Sequence, residues 1–345
     1  MTTIKNPPLA LDLFCGCGAV TEGVKRSGFR VVAAIDFDAV ACASYRLNHP
    51  EVHLVQSDIR EVDPAEFKVM FAGEPLELLI VCAPCQPFSS QNRKRTEDVR
   101  SLLILQGLRF AKSLSPRAIF FENVPGLAAS ANAPILLELE RGLTALGYSL
   151  SAPHRVNAAD YGVPQRRYRC VMIATKDRDL PDIPPPVTPT GNRIHVRDAI
   201  GDLPALTCGE AAAGDQLHRA RSHSALSLAR MLHIPKDGGS RFSLPEELEL
   251  RCHKGHSGHP DVYGRMSWGD VAPTLTTGCT DITRGRFMHP RDDRAITLRE
   301  AARLQTFGDD YRFAGNFSDV ARQIGNAVPV LLVENLASAL LPGKP

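Results

Sequence analysis

Apolar runs and segments of helical periodicity alternate along the first 175 residues of the chain. The runs have the length of strands, and apolar residues in the segments between them recur at the spacing of one helix face. The predicted strands are residues 9–14, 29–35, 52–56, 78–81, 118–121 and 168–174, and the predicted helices are 19–27, 39–47, 99–114 and 135–146. Repeated β-α-β units predict an α/β fold with a doubly wound, mostly parallel sheet.

This pattern changes near residue 180, where five prolines lie within 180–189 and indicate a linker or a boundary. Residues 190–290 are rich in Gly, His, Arg and Pro with weak periodicity, which indicates a smaller, loop-rich domain. Helical patterns return at 297–305, opened by a capping box, and at 328–340.

Composition narrows the class of protein. The formal net charge of +2 neither demands nor excludes nucleic acid, whereas 31 Arg against 9 Lys favours bidentate contacts to phosphates or bases, or equally a GC-rich genome. Nine scattered cysteines indicate a reducing compartment. Without a signal peptide or a run of ~18 apolar residues, we expect a soluble cytoplasmic protein that does not insert into a membrane.

Cys85 follows the fourth predicted strand, between Pro84 and Pro87. Proline fixes φ, so the thiol lies on a preset bend just beyond the carboxyl end of a strand, where open α/β sheets hold their chemistry. Cys85 is therefore a candidate nucleophile. A buried structural cysteine is the alternative, because free cysteine is among the most buried residue types.

Five residues at the ends of the first three strands predict a nucleoside cofactor without a pyrophosphate. Gly16 and Gly18 allow a tight turn and close approach of a ligand. Asp36 could accept hydrogen bonds from a ribose, Phe37 could stack on an adenine, and Asp58 could accept from its amino group. Taken alone, each aspartate could instead be a helix N-cap or a turn residue.

Glu122 ends the fifth strand, which we expect beside the strand that precedes Cys85. Its carboxyl group could donate a proton to a substrate nitrogen, or this stretch could cap the following helix. Arg167 and Arg169 alternate with Tyr168 and so share one strand face. On an otherwise apolar strand they need polar or anionic partners, which makes both site candidates.

Six ordered stretches resemble the motifs of the DNA (cytosine-5)-methyltransferases of bacterial modification systems. They are DLFCGCGA at 12–19, APCQPFS at 83–89, ENV at 122–124, QRRYR at 165–169, RAITLREAARLQTFGDDY at 294–311 and IGNAVPV at 324–330. Each stretch alone is modestly specific, whereas six in the family's order, covering nearly all of the chain, are very specific.

The resemblance implies the S-adenosylmethionine-dependent methyltransferase fold and transfer of a methyl group from S-adenosyl-L-methionine to C5 of a cytosine flipped out of double-stranded DNA. It implies that Cys85 attacks C6, that Glu122 contacts N3, and that Arg167 and Arg169 lie at the flipped base and the nucleophile. The positions that match the family's cofactor site are Phe14, Gly16, Gly18, Asp36, Phe37, Asp58, Ile59, Leu103 and Asn326.

The resemblance also implies the domain roles. Residues 1–180 would be the catalytic and cofactor-binding domain, 190–290 the target-recognition domain for one short DNA sequence, and 291–345 a segment returning to the catalytic domain. The basic residues 93–95 would close over DNA and contact phosphates. We expect a monomer, associated with the nucleoid, for which a cognate restriction endonuclease could be encoded nearby.

Alternatives remain at this stage. Methylation of tRNA by a related branch would be accompanied by a Cys-Phe-Thr signature, which the sequence lacks, and a catalytically inactive DNA-binding homologue would not need Cys85, Glu122 and Arg167. Thr21 stands where an NAD-binding fingerprint has its third glycine. The cluster Cys252-His253-x-x-His256-x-x-His259 matches no standard zinc spacing, so we predict no metal.

Overall fold

A computed structural model describes residues 6–84, 88, 99–250, 252, 254–255 and 258–343 of the protein. The strands are β1 (Leu9–Leu13), β2 (Arg30–Asp36), β3 (His53–Gln56), β4 (Leu76–Val81), β5 (Ala118–Asn123), β6 (Ser149–Leu150), β7 (His154–Asn157) and β8 (Tyr168–Thr175). The α-helices are α1 (Ala19–Ser27), α2 (Ala39–Asn48), α3 (Gln106–Leu114), α4 (Ala133–Ala145), α5 (Val196–Ile200), α6 (Ala225–His233), α7 (Leu298–Leu304), α8 (Phe317–Asn326) and α9 (Val330–Ala337).

The strands form one sheet in the order β3-β2-β1-β4-β5-β8-β6, and β7 pairs with β8 beside β6. Strands β1 to β5 pair in parallel, and β8 runs antiparallel to its three partners. Every residue of β1, β4 and β5 is buried, as expected for central parallel strands that read as continuous apolar runs. The predicted fold class, α/β with a mostly parallel sheet, is confirmed, and β4 and β5 are neighbours as expected.

The chain divides into two compact units. The sheet unit consists of Met1–Asn157, Tyr168–Pro186 and Val330–Pro345, and the second unit consists of Ala158–Arg167 and Val187–Pro329. The chain passes between them within the proline-rich stretch, at Pro186–Val187. The predicted return at 291 differs from this division, because residues 291–329 belong to the second unit.

Packing of α7 explains that difference. Arg299 of α7 forms an ion pair with Asp215, with 2.6 Å between Nε and Oδ2, and Glu300 pairs with Arg294. The predicted capping box is confirmed: Glu300 N donates to Thr297 Oγ1, and Thr297 N donates to the Glu300 carboxylate. These bonds hold α7 within the second unit.

The last helix belongs to the sheet unit and packs on the first. A Cβ added to Gly23 of α1 would lie 2.6 Å from Val330 O and 2.7 Å from Val333 Cβ, so only glycine allows this approach. Helix α9 therefore packs beside the first motif, as the resemblance implied. Within the described part of the chain, no helix is both long and apolar enough to span a bilayer.

Candidate active site

The first βα turn has the conformation of a close-approach turn. Phe14, Gly16 and Gly18 have φ values of 64°, 55° and 97°, all in the left-handed region that glycine favours. Phe14 carries a cost of about 1–2 kcal/mol there, a kind of strain that clusters at functional sites. No atom lies within 4 Å of a Cβ built on Gly16, so the space beside this turn is open.

Asp36 closes the turn from the neighbouring strand. Its Oδ2 accepts from Gly16 N at 2.8 Å and its Oδ1 from Asp38 N at 2.9 Å, while burial raises its pKa above the ordinary value. Asp38, not Asp36, is the N-cap of α2, so the capping alternative does not apply to Asp36. Phe37 beside it is 71% exposed, an unusual position for a phenyl ring.

Asp58 and Ile59 follow β3, at the same edge of the sheet. Hydrogen bonds from Arg60 lower the pKa of Asp58 to about 2, so its carboxylate is ionised at neutral pH. Ile59 is buried, and its carbonyl accepts a hydrogen bond from Arg109. Leu103 is half-buried in a 3-10 helix that precedes α3.

Cys85 lies outside the described residues, as do the basic residues 93–95, yet both flanks of Cys85 are held. Before it, Ala83 O accepts from Asn123 Nδ2 at 3.1 Å. After it, Phe88 is buried, and a Cβ on Gly126 would lie 1.9 Å from Phe88 O. Ala83 and Phe88, the described residues on either side of Cys85, are therefore both held at the carboxyl end of β5, by Asn123 and Gly126.

Glu122 and Arg169 come together at that same end of the sheet. Their strands are paired antiparallel, and Arg169 Nε lies 2.6 Å from Glu122 Oε1, with both side chains less than a tenth exposed. The capping alternative belongs to the neighbouring Asn123, whose Oδ1 accepts from Val124 N. Glu122 is left with a buried cationic partner, not a capping role.

Arg167 lies in the second unit and has different partners. Its Nη1 donates to Leu275 O at 2.7 Å, and its Nη2 donates to Gly325 O at 2.8 Å and Ala327 O at 2.9 Å. It thus holds the main chain on both sides of Asn326, at the end of α8.

The two arginines therefore do not converge on one partner. Strand β8 begins at Tyr168, so Arg169 lies in the strand and Arg167 precedes it. Both arginines are buried, whereas Tyr168 between them is 38% exposed. Their roles at the base and the nucleophile stay predictions.

Sequence reasoning missed two fully buried glutamines in the second unit. Gln165 Oε1 accepts from Leu275 N at 3.0 Å, and its Nε2 donates to Leu304 O and to Gln305 Oε1. Gln305 in turn donates to Ile324 O at 2.6 Å. Gln165 lies in the stretch 165–169 and Gln305 in the stretch 294–311. An uncharged amide within a mostly apolar or basic stretch could have indicated these buried hydrogen bonds.

Among the described residues, no group of three His, Cys, Asp or Glu side chains is arranged to hold a metal ion. His253 and His256 lie outside those residues, so the prediction for that cluster is not tested.

Comparison with known proteins gives matches over nearly the whole chain. The family model for C-5 cytosine-specific DNA methylases matches residues 10–341. The type II methylase M.HgiDII of Herpetosiphon aurantiacus is 40% identical over 338 residues, covering 96% of this chain and 94% of that protein. The type II methyltransferase M.XorII of Xanthomonas oryzae is 33% identical, covering 97% and 84%.

A solved structure described as a DNA modification methyltransferase encoded within an Escherichia coli prophage superposes with a TM-score of 0.77 at 25% identity, covering 96% of this chain and 98% of that one. The Dnmt2 methyltransferase of S. pombe shares the fold, with a TM-score of 0.61 at 20% identity and coverage of 96% and 98%.

Proposed function

Because the chain belongs to the C-5 cytosine-specific DNA methylases and is a DNA cytosine-5 methyltransferase of the type II modification class, we propose the following reaction for it. It transfers the methyl group of S-adenosyl-L-methionine to C5 of a cytosine flipped out of a specific short duplex sequence, through a covalent adduct between Cys85 and C6. One observation carries the proposal: Glu122, which forms a buried pair with Arg169 of β8, lies on β5, the strand beside the one that leads to Cys85.

The residues of the first three strand ends fit an adenosyl group. Strands β1, β2 and β3 are neighbours, so the open turn at Gly16, the exposed ring of Phe37 and the ionised Asp58 lie along one sheet edge. Asp36 would accept from the ribose and Phe37 would cover the adenine. When bound, S-adenosyl-L-methionine supplies an electrophilic methyl group on a sulfonium.

Phe14, Gly18, Ile59, Leu103 and Asn326 are assigned to the same cofactor by the resemblance. Phe14 and Gly18 belong to the left-handed turn, and Ile59 is buried directly after Asp58. Asn326 lies in the second unit, where Arg167 fixes the carbonyl groups on both sides of it.

The proposed chemistry begins on the base. The Cys85 thiolate adds to C6 while Glu122 donates a proton to N3, which leaves an electron pair at C5 able to accept the methyl group. Arg169 orients Glu122 and stabilises the carboxylate that proton transfer leaves. Methyl transfer leaves S-adenosyl-L-homocysteine as the second product. Loss of the C5 proton to solvent and return of the N3 proton to Glu122 then break the bond between C6 and sulfur and restore the thiolate.

Labelling of nucleic acid tests the proposal. The protein is incubated with labelled S-adenosyl-L-methionine and either genomic DNA or tRNA, and 5-methylcytosine is mapped by bisulfite sequencing. We expect label in DNA at one short motif. Label in tRNA alone would show that the proposed substrate is wrong.

Cys85→Ala tests the nucleophile. We expect loss of transfer with cofactor binding retained. DNA that contains 5-fluorocytosine should trap the wild type as a covalent complex, because C5 then carries no removable proton, and it should not trap the variant. Cys252→Ala, at an exposed cysteine, is the matched control and should keep full activity. Undiminished turnover by Cys85→Ala would contradict the covalent step.

The remaining expectations concern partners. We infer that the protein acts as a monomer on nucleoid DNA and that a cognate restriction endonuclease is encoded nearby. Size-exclusion chromatography with and without a duplex, and the genes that flank this one, test these two points separately.

A further inference from the structure

Most arginines of the second unit have structural partners. Arg265 and Arg294 have 0% exposed side chains, and Arg294 forms two parallel bonds to Glu300, at 2.8 and 2.9 Å. Arg286 donates to Asp261 and to three main-chain carbonyl groups. Guanidinium groups bound in this way stabilise loops and are not available to a ligand.

Arg284 and Arg221 differ from these. The side chain of Arg284 is 65% exposed, and its one ion pair with a described residue joins Nε to Asp281 Oδ2 at 3.5 Å. Arg221 is exposed, and its guanidinium forms no hydrogen bond or ion pair within the described residues. Although burial raises the pKa of Asp281, bonds from Thr283 and the charges of Arg221 and Arg284 hold it below the ordinary value.

The turn that carries Arg284 is built to hold one shape. Successive main-chain bonds join Asp281 N to Gly278 O at 2.9 Å and Arg284 N to Asp281 O at 3.0 Å, above the buried Cys279 and Ile282. A Cβ on Gly278 would lie 2.4 Å from Arg284 Cδ, so the arginine stem rests on the glycine main chain. The turn therefore places the stem of Arg284, and the guanidinium beyond it is exposed.

The turn is also fixed to Gln165 and Arg167 of the QRRYR stretch. Leu275, just before it, accepts from Arg167 Nη1 at 2.7 Å and donates to Gln165 Oε1 at 3.0 Å. A Cβ on Gly325 would lie 2.3 Å from Thr276 O, so α8 packs directly on the start of the turn. Arg284 thus projects from a segment that is anchored to a candidate site residue.

We propose that Arg284 determines sequence specificity by reading one guanine of the methylation site. Asp281 Oδ2 lies 3.5 Å from Nε and attracts that side of the guanidinium, which leaves Nη1 and Nη2 for O6 and N7 of guanine, the commonest specific arginine contact to a base. Arg221 has no orienting carboxylate within hydrogen-bond distance, so it acts through charge on the phosphates, which positions but does not specify. The proposal rests on the proposed function, since it presupposes methylation of duplex DNA.

The experiment compares Arg284→Lys, Arg284→Ala and the matched control Arg221→Ala with the wild type. The wild-type motif is first mapped on genomic DNA, and kcat/KM is then measured on duplexes in which each base pair of the motif is changed singly. Arg284→Lys keeps the charge and the exposed stem, so loss of folding is not expected, and thermal unfolding confirms this. Arg284→Ala removes both.

For both Arg284 variants we expect discrimination at one guanine to fall roughly tenfold to a hundredfold, the range of one bidentate contact, with the other positions unchanged. Arg221→Ala should lower kcat/KM for all duplexes alike and reduce the salt dependence of binding by about one counterion. An unchanged motif, an equal loss at every position, or a wild-type motif without guanine overturns the inference. Absence of methylation by the wild type would instead refute the proposed function.

Discussion

Two buried acid–arginine pairs, one in each unit, have the same chemistry and different geometry. In the second unit Arg294 meets Glu300 with two parallel hydrogen bonds, and the same carboxylate accepts from Thr297 N. In the sheet unit Arg169 meets Glu122 through Nε, and Nη1 donates to Tyr168 O. Nη2 of Arg169 has no hydrogen-bond partner in the described part of the chain.

This is the difference that we expect between a structural pair and the proposed site pair. Burial would raise the pKa of Glu300, but the bonds from Arg294 outweigh it and hold the pKa below the ordinary value. Such a pair is closed, because each donor and acceptor has a partner within the protein. The pair in the sheet unit lies at the carboxyl end of β5, where the proposed base would bind.

Glu122→Gln should give the largest effect. The amide keeps the shape but cannot donate a proton as a carboxylic acid does, so we expect kcat to fall about 10²- to 10⁴-fold, the usual contribution of a positioned acid or base. The variant should also unfold at a lower temperature, because Arg169 loses its buried carboxylate, so kcat is measured per folded molecule. A variant that unfolds readily but keeps its kcat would show that the Glu122–Arg169 pair is structural, like the Arg294–Glu300 pair.

Glu300→Ala should lower stability and leave turnover unchanged. It removes the bidentate partner of the buried Arg294, which then keeps Asp292 as its carboxylate partner, so we expect a loss of stability of up to about 3–5 kcal/mol. Chemical denaturation measures the loss, and the folded fraction should keep its turnover per molecule. Loss of turnover at full stability would show that this pair also contributes to catalysis.

Asp12 extends the comparison to a buried carboxyl group that forms no ion pair with any residue in the described ranges. It accepts from Thr21 Oγ1 at 2.7 Å, and burial raises its pKa from 3.8 to about 7. The folded state therefore binds the proton more tightly, and stability should fall as pH rises from about 4 to about 7, by ~1.4 kcal/mol per unit of pKa shift at most. Asp12→Asn should remove this dependence; equal slopes for both proteins would contradict it.

The exposed pair Lys254–Glu246 should contribute least to stability. Its atoms are 3.5 Å apart and Glu246 is 87% exposed, so water screens the attraction. Glu246→Gln should change the free energy of unfolding by less than about 0.5 kcal/mol. A larger change would mean that exposed pairs in this unit are coupled to its core.

Local patterns predicted those parts of the molecule that depend on local rules. Continuous apolar runs predicted the central strands, the glycines predicted the left-handed turn, and Thr297-x-x-Glu300 predicted the start of α7. The short β6 and β7 were not predicted, because two and four residues are too few to show a period.

The partners of Arg167 could not be predicted either. Its carbonyl acceptors lie 108, 158 and 160 residues away along the chain, and no spacing rule extends that far. The same holds for the flanks of Cys85, whose contacts with Asn123 and Gly126 depend on the neighbouring strands being placed first.

The contact of Gly23 with α9 also constrains the order in which the protein can assemble. Synthesis delivers α1 first and α9 only after the whole of 187–329 has been made. Residues 28–329 separate the two helices, and at ~5–20 residues per second their synthesis takes roughly 15–60 s. During that interval α9 cannot cover the α1 face that receives Val333. The second unit is therefore synthesised almost completely before the sheet unit can bury this face.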